Sequence, residues 1–276
     1  MSTRKAAVEG RFYPSTKSRI FDQIMEIEQS GRYPEPDVSP AKVFGAVLPH
    51  AGHLYSGYQT IPFFQLIRRH RIFPDTFIIV HPNHSGFGKS LAIDEATWWS
   101  NAIGEVPVDQ ELAIAMGLPF DSTAHAREHS AEVIIPFMQY FLADHDFSIV
   151  PVCMKDQGFK NASLVAESIN KAVAKTGRKI MLIASCDFSH FLPSAEGKAL
   201  DQEVLDSIFE RDAPGVEQAV IGHRISVCGY GPIMSLMEYA RSREKKYKIK
   251  ILARGHSGEV HPSREVVDYI SLMAYK

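Results

Sequence analysis

The chain has 276 residues, of which 45% are hydrophobic, 22% charged and 10% aromatic, a globular composition that excludes collagen-like, disordered and low-complexity readings. Its 30 basic and 32 acidic residues leave a net charge of −2, so bulk electrostatics recruit neither nucleic acid nor an anionic membrane. The longest uninterrupted apolar runs, 112–116 and 180–184, fall far short of the ~20 residues that a membrane-spanning helix needs.

The first ten residues lack the apolar stretch of a secretory signal. Three cysteines, an odd and small number, argue against a disulfide framework and fit a reducing cytoplasm. An early helix near 16–29 leads into a polar, Pro-rich loop at 30–40. A buried strand at 42–48 then runs straight into Pro49-His50-Ala51-Gly52-His53, and a helix follows near 58–70. The next strand, 76–81, runs into Pro82-Asn83-His84-Ser85-Gly86. After a helix near 109–117 comes Arg127-Glu128-His129-Ser130-Ala131-Glu132, at the start of a helix over 131–144. There Ser130 reads as an N-cap and Glu132 as a first-turn acid. Neither role explains His129, whose charged form is disfavoured at a helix start.

A strand at 147–153 carries Cys153, which reads as a buried structural thiol. A helix over 160–176 stops at Gly177. The strand at 179–185 runs into Cys186-Asp187-Phe188-Ser189-His190. Asp187 reads equally as a helix cap or as a carboxylate that orients a neighbouring imidazole. Helices near 197–210 and 214–221 precede Cys228, which sits at the mouth of a helix over 229–245. The dipole there favours its thiolate. Two last strands, 248–254 and 266–274, complete the chain.

Strands alternating with helices predict one α/β domain over 1–276, a three-layer α/β/α arrangement around a mainly parallel sheet. Ligands in such sheets lie beyond the carboxyl ends of the strands, where three strands here deliver His50, His84 and His190. A Cys–His pair could serve acyl transfer, but no recognisable oxyanion motif accompanies it.

Together the segments Gly10-Arg11-Phe12-Tyr13-Pro14, Pro49-His50-Ala51-Gly52, Pro82-Asn83-His84, Glu128-His129-Ser130, Ser185-Cys186-Asp187-Phe188-Ser189-His190 and Cys228-Gly229 resemble, in order and spacing, the Memo family. Its bacterial and archaeal members are called AmmeMemoRadiSam system protein B. The resemblance implies a fold similar to the class III extradiol ring-cleaving dioxygenases, which use non-haem Fe(II). It also implies a metal bound by two histidines and one cysteine, which by motif are His50, His84 and Cys228. Asp187 and His190 fall on further pocket positions, with His129 as a polar neighbour, and these three are the expected catalytic groups.

The dioxygenases carry a glutamate where this chain aligns Cys228. A thiolate there shifts preference toward softer metals such as copper or zinc, while iron remains the first expectation. The resemblance implies a small molecule or peptide as ligand and a functional link to radical S-adenosylmethionine and AMMECR-like proteins. The chain is not itself such a radical enzyme: its cysteines are spread over positions 153, 186 and 228, with no cluster motif.

Overall fold

The computed structural model describes residues 2–276. In chain order the elements are β1 (Thr3–Lys5), α1 (Lys17–Gln29), β2 (Val43–Leu48), α2 (His53–Arg69), β3 (Thr76–Pro82), β4 (Leu91–Ile93), β5 (Trp98–Asn101) and β6 (Gly104–Pro107). These are followed by α3 (Gln110–Met116), α4 (Ile135–Phe141), β7 (Ser148–Met154), α5 (Phe159–Thr176), β8 (Ile180–Ser185) and β9 (His190–Leu192). The last are α6 (Ser194–Glu210), α7 (Ala213–Gly222), α8 (Tyr230–Arg243), β10 (Lys248–His256) and β11 (Val266–Tyr275).

The main sheet has the order β10-β11-β2-β8-β3-β7-β4, with β9 pairing β11 from the side. Its centre is parallel, as expected: β2 pairs β8, β8 pairs β3 and β3 pairs β7. The flanks are antiparallel, where β11 joins β2 and β10 on one side and β4 joins β7 on the other. The central strands are apolar throughout because both faces are covered. Phe44, Val47, Ile78, Val80, Leu182 and Ala184 point to one core, filled from α3, α5, α6, α7 and α8. The alternating Ala46, Leu48, Phe77, Ile79, Met181 and Ile183 point to the other, filled from α1, α2 and α4. The result is a three-layer α/β/α fold.

Local sequence explains the element ends. Asp109 caps α3 by accepting from Leu112 N at 3.0 Å, and Asp212 caps α7 through Gly215 N at 3.0 Å. Gly117 and Gly177 stop α3 and α5 in the left-handed region. Two expectations are corrected. Ser130 is not a cap, because its hydroxyl is engaged with Pro82 O, Glu128 and His81, and a 3-10 turn at Glu132–Ile134 opens this helix instead. Asp187 caps no helix either, since the segment beyond it is strand β9. Helix α2 starts five residues earlier than read, because Gly52 rather than a later residue flanks its first turn. A small second sheet, β1-β5-β6, lies outside the sequence reading.

Candidate metal centre

The candidate donors arise where the parallel strands end. His50 lies two residues past β2 and His84 two past β3, with β8 between these strands. Cys228 comes from the loop before α8, one residue ahead of that helix's N-cap Gly229. This loop is zipped to the end of β8: Cys228 N donates to Asp187 O at 3.2 Å, and Asp187 N donates to Cys228 Sγ at 3.3 Å. Gly229 makes the approach possible, because a Cβ there would lie 2.2 Å from Ser185 O and 2.6 Å from Cys186 Cβ. Gln157 locks the same turn, donating to Cys228 O at 2.7 Å and accepting from Gly231 N at 3.0 Å.

One donor atom each from His50, His84 and Cys228 lies within 4.8 Å of the others. The imidazoles are oriented by their far nitrogens. Ser185 Oγ donates to Ser130 O at 2.6 Å, so at the 2.7 Å contact with His50 it accepts, and His50 Nδ1 carries the proton. His84 Nδ1 lies 3.0 Å from the carboxylate Oε1 of Glu128 and donates to it. Both Nε2 atoms are thereby left as lone-pair donors, the arrangement metal-binding histidines show. His50 Nε2 sits 3.3 Å from Cys228 Sγ, close to the roughly 3.5 Å expected between N and S ligands on one tetrahedral ion.

Electrostatics follow from this packing. Burial alone would raise the Cys228 thiol, but Cys186, His50 and His84 together hold it well below its ordinary value. Burial opposes protonation of His84, yet Cys228 and Glu128 raise it to about 10, and His50 is raised likewise by Asp187 and Cys228. Without an ion, protons therefore hold the positive charge opposite a thiolate, and a cation would displace them. Glu128, His84 and His129 also approach one another within 4.8 Å. That group makes a poor metal set, because Glu128 already accepts from His84 N, Ser85 N, His129 N, Ser130 N and His84 Nδ1. Its carboxyl lies well below the usual range: burial opposes this, and the His129 and His84 hydrogen bonds outweigh burial.

The model of Memo-like proteins matches residues 4–273. The chain belongs to the Memo-like family. A MEMO1 family protein of Archaeoglobus fulgidus is 38% identical over 275 residues, 98% of each chain. One from Pyrobaculum aerophilum is 34% identical and is covered, like this chain, in full. Among solved structures, an uncharacterized protein of Escherichia coli K12 aligns with a TM-score of 0.56 over 84% of this chain and 99% of its own. At 15% identity that likeness shows a shared fold.

Within this Memo-like chain the expected pocket groups separate. His129 joins the cluster, with its ring 4.8 Å from that of His84, 5.5 Å from that of His50 and 4.7 Å from that of Phe12. Asp187 reaches His50 chiefly through the backbone, Oδ1 accepting from His50 N at 2.8 Å, while Oδ2 lies 3.9 Å from His50 Nε2. His190 is held by Ser226, through its N–H at 2.8 Å and Nδ1 at 2.8 Å. Its ring lies against that of Phe191, with centroids 5.9 Å apart. Sequence reasoning missed Ser185 and Glu128 as the groups that set the imidazoles. Both stood inside quoted motifs, and a carboxylate beside a histidine near a strand end was the available signal for Glu128. Cys153 is buried with its thiol on Ala124 O, as read.

Proposed function

We propose that this Memo-like protein binds one metal ion through His50, His84 and Cys228 and uses it for redox chemistry on a small substrate. Iron(II) is the first candidate, with copper or zinc as alternatives. The carrying observation is that Ser185 and Glu128 hold both Nδ1 protons away, so that the two Nε2 atoms and one sulfur converge. Three protein ligands leave a position open for a further molecule. A metal bound there would supply Lewis-acid and electron-transfer chemistry.

The chain's own residues supply the rest. His129 Nδ1 lies 3.2 Å from Glu128 Oε1, which leaves Nε2 to take or give a proton to a molecule at the open position. Asp187 fixes the His50 backbone, and so the direction from which the ring enters. His190, with Nδ1 engaged by Ser226, offers Nε2 as a second proton carrier.

A second reading, a metal-sequestering protein without turnover, is favoured by the thiolate, a ligand that suits Cu(I) and Zn better than a carboxylate does. Anaerobic loading with Fe(II) or Cu(I), followed by elemental analysis, tests the site. One ion per chain is expected, with loss of binding in His50→Ala and in the less buried His84→Ala. Wild-type protein that retains neither metal overturns the proposal. Dioxygen consumption by the Fe(II)-loaded protein, abolished in Cys228→Ser, separates the redox reading from sequestration.

A further inference from the structure

The chemistry proposed above leaves Cys186 without a role, although it is fully buried beside the sulfur that carries the site. Cys186 Sγ accepts from Gly229 N at 3.1 Å and donates to Asp187 O at 3.1 Å. Cys228 Sγ lies 3.5 Å from that same carbonyl oxygen. The two thiols thus converge on one carbonyl oxygen, Cys186 from 3.1 Å and Cys228 from 3.5 Å. Their chain segments are already in contact, since Gly229 rests against Cys186 with no room for a side chain. Closing to the ~2.05 Å of a disulfide takes rotation of side chains that already share one site.

We propose that Cys186 and Cys228 are a peroxide-sensitive thiol pair, whose disulfide withdraws the sulfur ligand from the metal site. The second half of this statement rests on the metal reading; the first rests on the two segments alone. Cys228 is the half-buried partner and meets the oxidant first. Its thiolate attacks one oxygen of hydrogen peroxide, the O–O bond breaks, and the departing hydroxide takes a proton to become water. Cys228 is then a sulfenic acid. The Cys186 sulfur attacks the sulfenic sulfur, the S–O bond breaks, and the hydroxyl leaves with the Cys186 proton as a second water. In sum, two thiols and one peroxide give one disulfide and two waters, with sulfur oxidised and peroxide reduced. A thiol reductant reverses the bond by exchange. The cost to the site is one of three ligands, so metal affinity should fall by more than about tenfold.

The test uses reduced, metal-free, full-length protein treated with one equivalent of hydrogen peroxide, then differential alkylation and peptide mass spectrometry. A Cys186–Cys228 cross-link is expected, while Cys153, tied to Ala124 O, stays a free thiol and serves as the internal control. Cys186→Ser, with Cys186→Ala as a second variant, should leave Cys228 as a sulfenic acid, which a second equivalent of peroxide carries on to sulfinic acid. Zinc, which is redox-inert, serves as the metal probe: preloading should protect Cys228, and the oxidised protein should bind zinc more than about tenfold more weakly until reduced. Zinc binding by the reduced protein, with no cross-link and equal overoxidation in wild type and variants, overturns the thiol pair and leaves the metal reading intact. A cross-link in protein that binds no zinc when reduced overturns the metal reading and keeps the disulfide.

Discussion

Glu128 concentrates the geometry of the centre in one side chain. Four backbone N–H groups, the Ser130 hydroxyl and the imidazoles of His84 and His129 converge on it, so it fixes where His84 sits as well as which nitrogen is protonated. Behind it runs a one-way chain of neutral groups. His125 Nε2 donates to Ala92 O, so its Nδ1 accepts from His81 Nε2, and His81 Nδ1 lies 3.0 Å from the hydroxyl of Ser130. Burial keeps both of these histidines uncharged, pushing each below its ordinary value. Glu128→Gln would turn one acceptor oxygen into a donor facing N–H groups. Metal affinity should then fall about 10- to 100-fold, as it does when a partner behind a ligating histidine is removed. Competition against a chelator of known strength measures this; an affinity unchanged within threefold would show that His84 is held by its loop alone.

At the scale of elements, the N-terminal segment forms a wall of the site. Phe12 lays its ring on His129, and its carbonyl accepts from His53 N at 2.8 Å at the start of α2. What holds the segment is Glu132, buried and accepting from Arg4 Nη1, Ala7 N, Val8 N and Tyr13 OH. Glu132→Ala leaves the Arg4 guanidinium buried without its carboxylate, a loss of about 3–5 kcal/mol. Urea denaturation should show that loss, and hydrogen exchange over residues 4–13 should speed up ahead of the sheet. An exchange pattern changed uniformly across the chain would contradict this local role.

Glu132 also shows why part of the site was not legible in the sequence. Its partners lie more than 100 residues upstream, while an acid in a helix's first turn already has a complete local explanation. The same applies to Ser130, whose hydroxyl satisfies β3 and Glu128 rather than its own helix. By contrast the four central strands β2, β3, β7 and β8 were readable, because parallel strands covered on both faces need continuous apolar runs. So were His50 and His84, because such runs end where sites are built. The three-residue strands β1, β4 and β9 are too short to show a period, and only their pairing defines them.

For the whole molecule, pH sets two buried groups against each other. His53 is enclosed by Tyr13 and Phe137 and gives Val133 O one hydrogen bond at 2.8 Å. Burial lowers it from 6.5 to about 4. Between those values the unfolded chain takes up a proton that the native ring refuses, so this group's contribution, about 3 kcal/mol, is lost as pH falls. Asp268 behaves oppositely. It faces Asp201 where α6 meets β11, and each carboxyl has one buried oxygen, Oδ2, without a protein donor. Burial, then the Asp201 charge, raises Asp268 from 3.8 to about 7, so the native pair keeps a proton that the unfolded chain releases. That stability is present at low pH and lost as pH rises toward 7. Between pH 4 and 6.5 the two slopes are one proton each and of opposite sign, so they offset. Above pH 6.5 the carboxyl pair acts alone.

The consequence reaches the centre, because Asp201 Oδ1 accepts from Ser189 N and Oγ while Asp268 exchanges backbone hydrogen bonds with Phe188 and Ser189, beside Asp187. Asp268→Asn supplies a permanent N–H where the shared proton sits. Relative to wild type it should gain stability as pH rises from 5 to 8, and it should hold the 187–190 segment against hydrogen exchange at pH 8. His53→Gln keeps the donor to Val133 O and removes the titrating ring, so its stability relative to wild type should rise as pH falls from 6.5 to 4. Urea unfolding at four or five pH values gives both difference curves. Curves parallel to wild type in either variant would mean that the group titrates alike in the folded and unfolded chain, and the opposition described here would be absent.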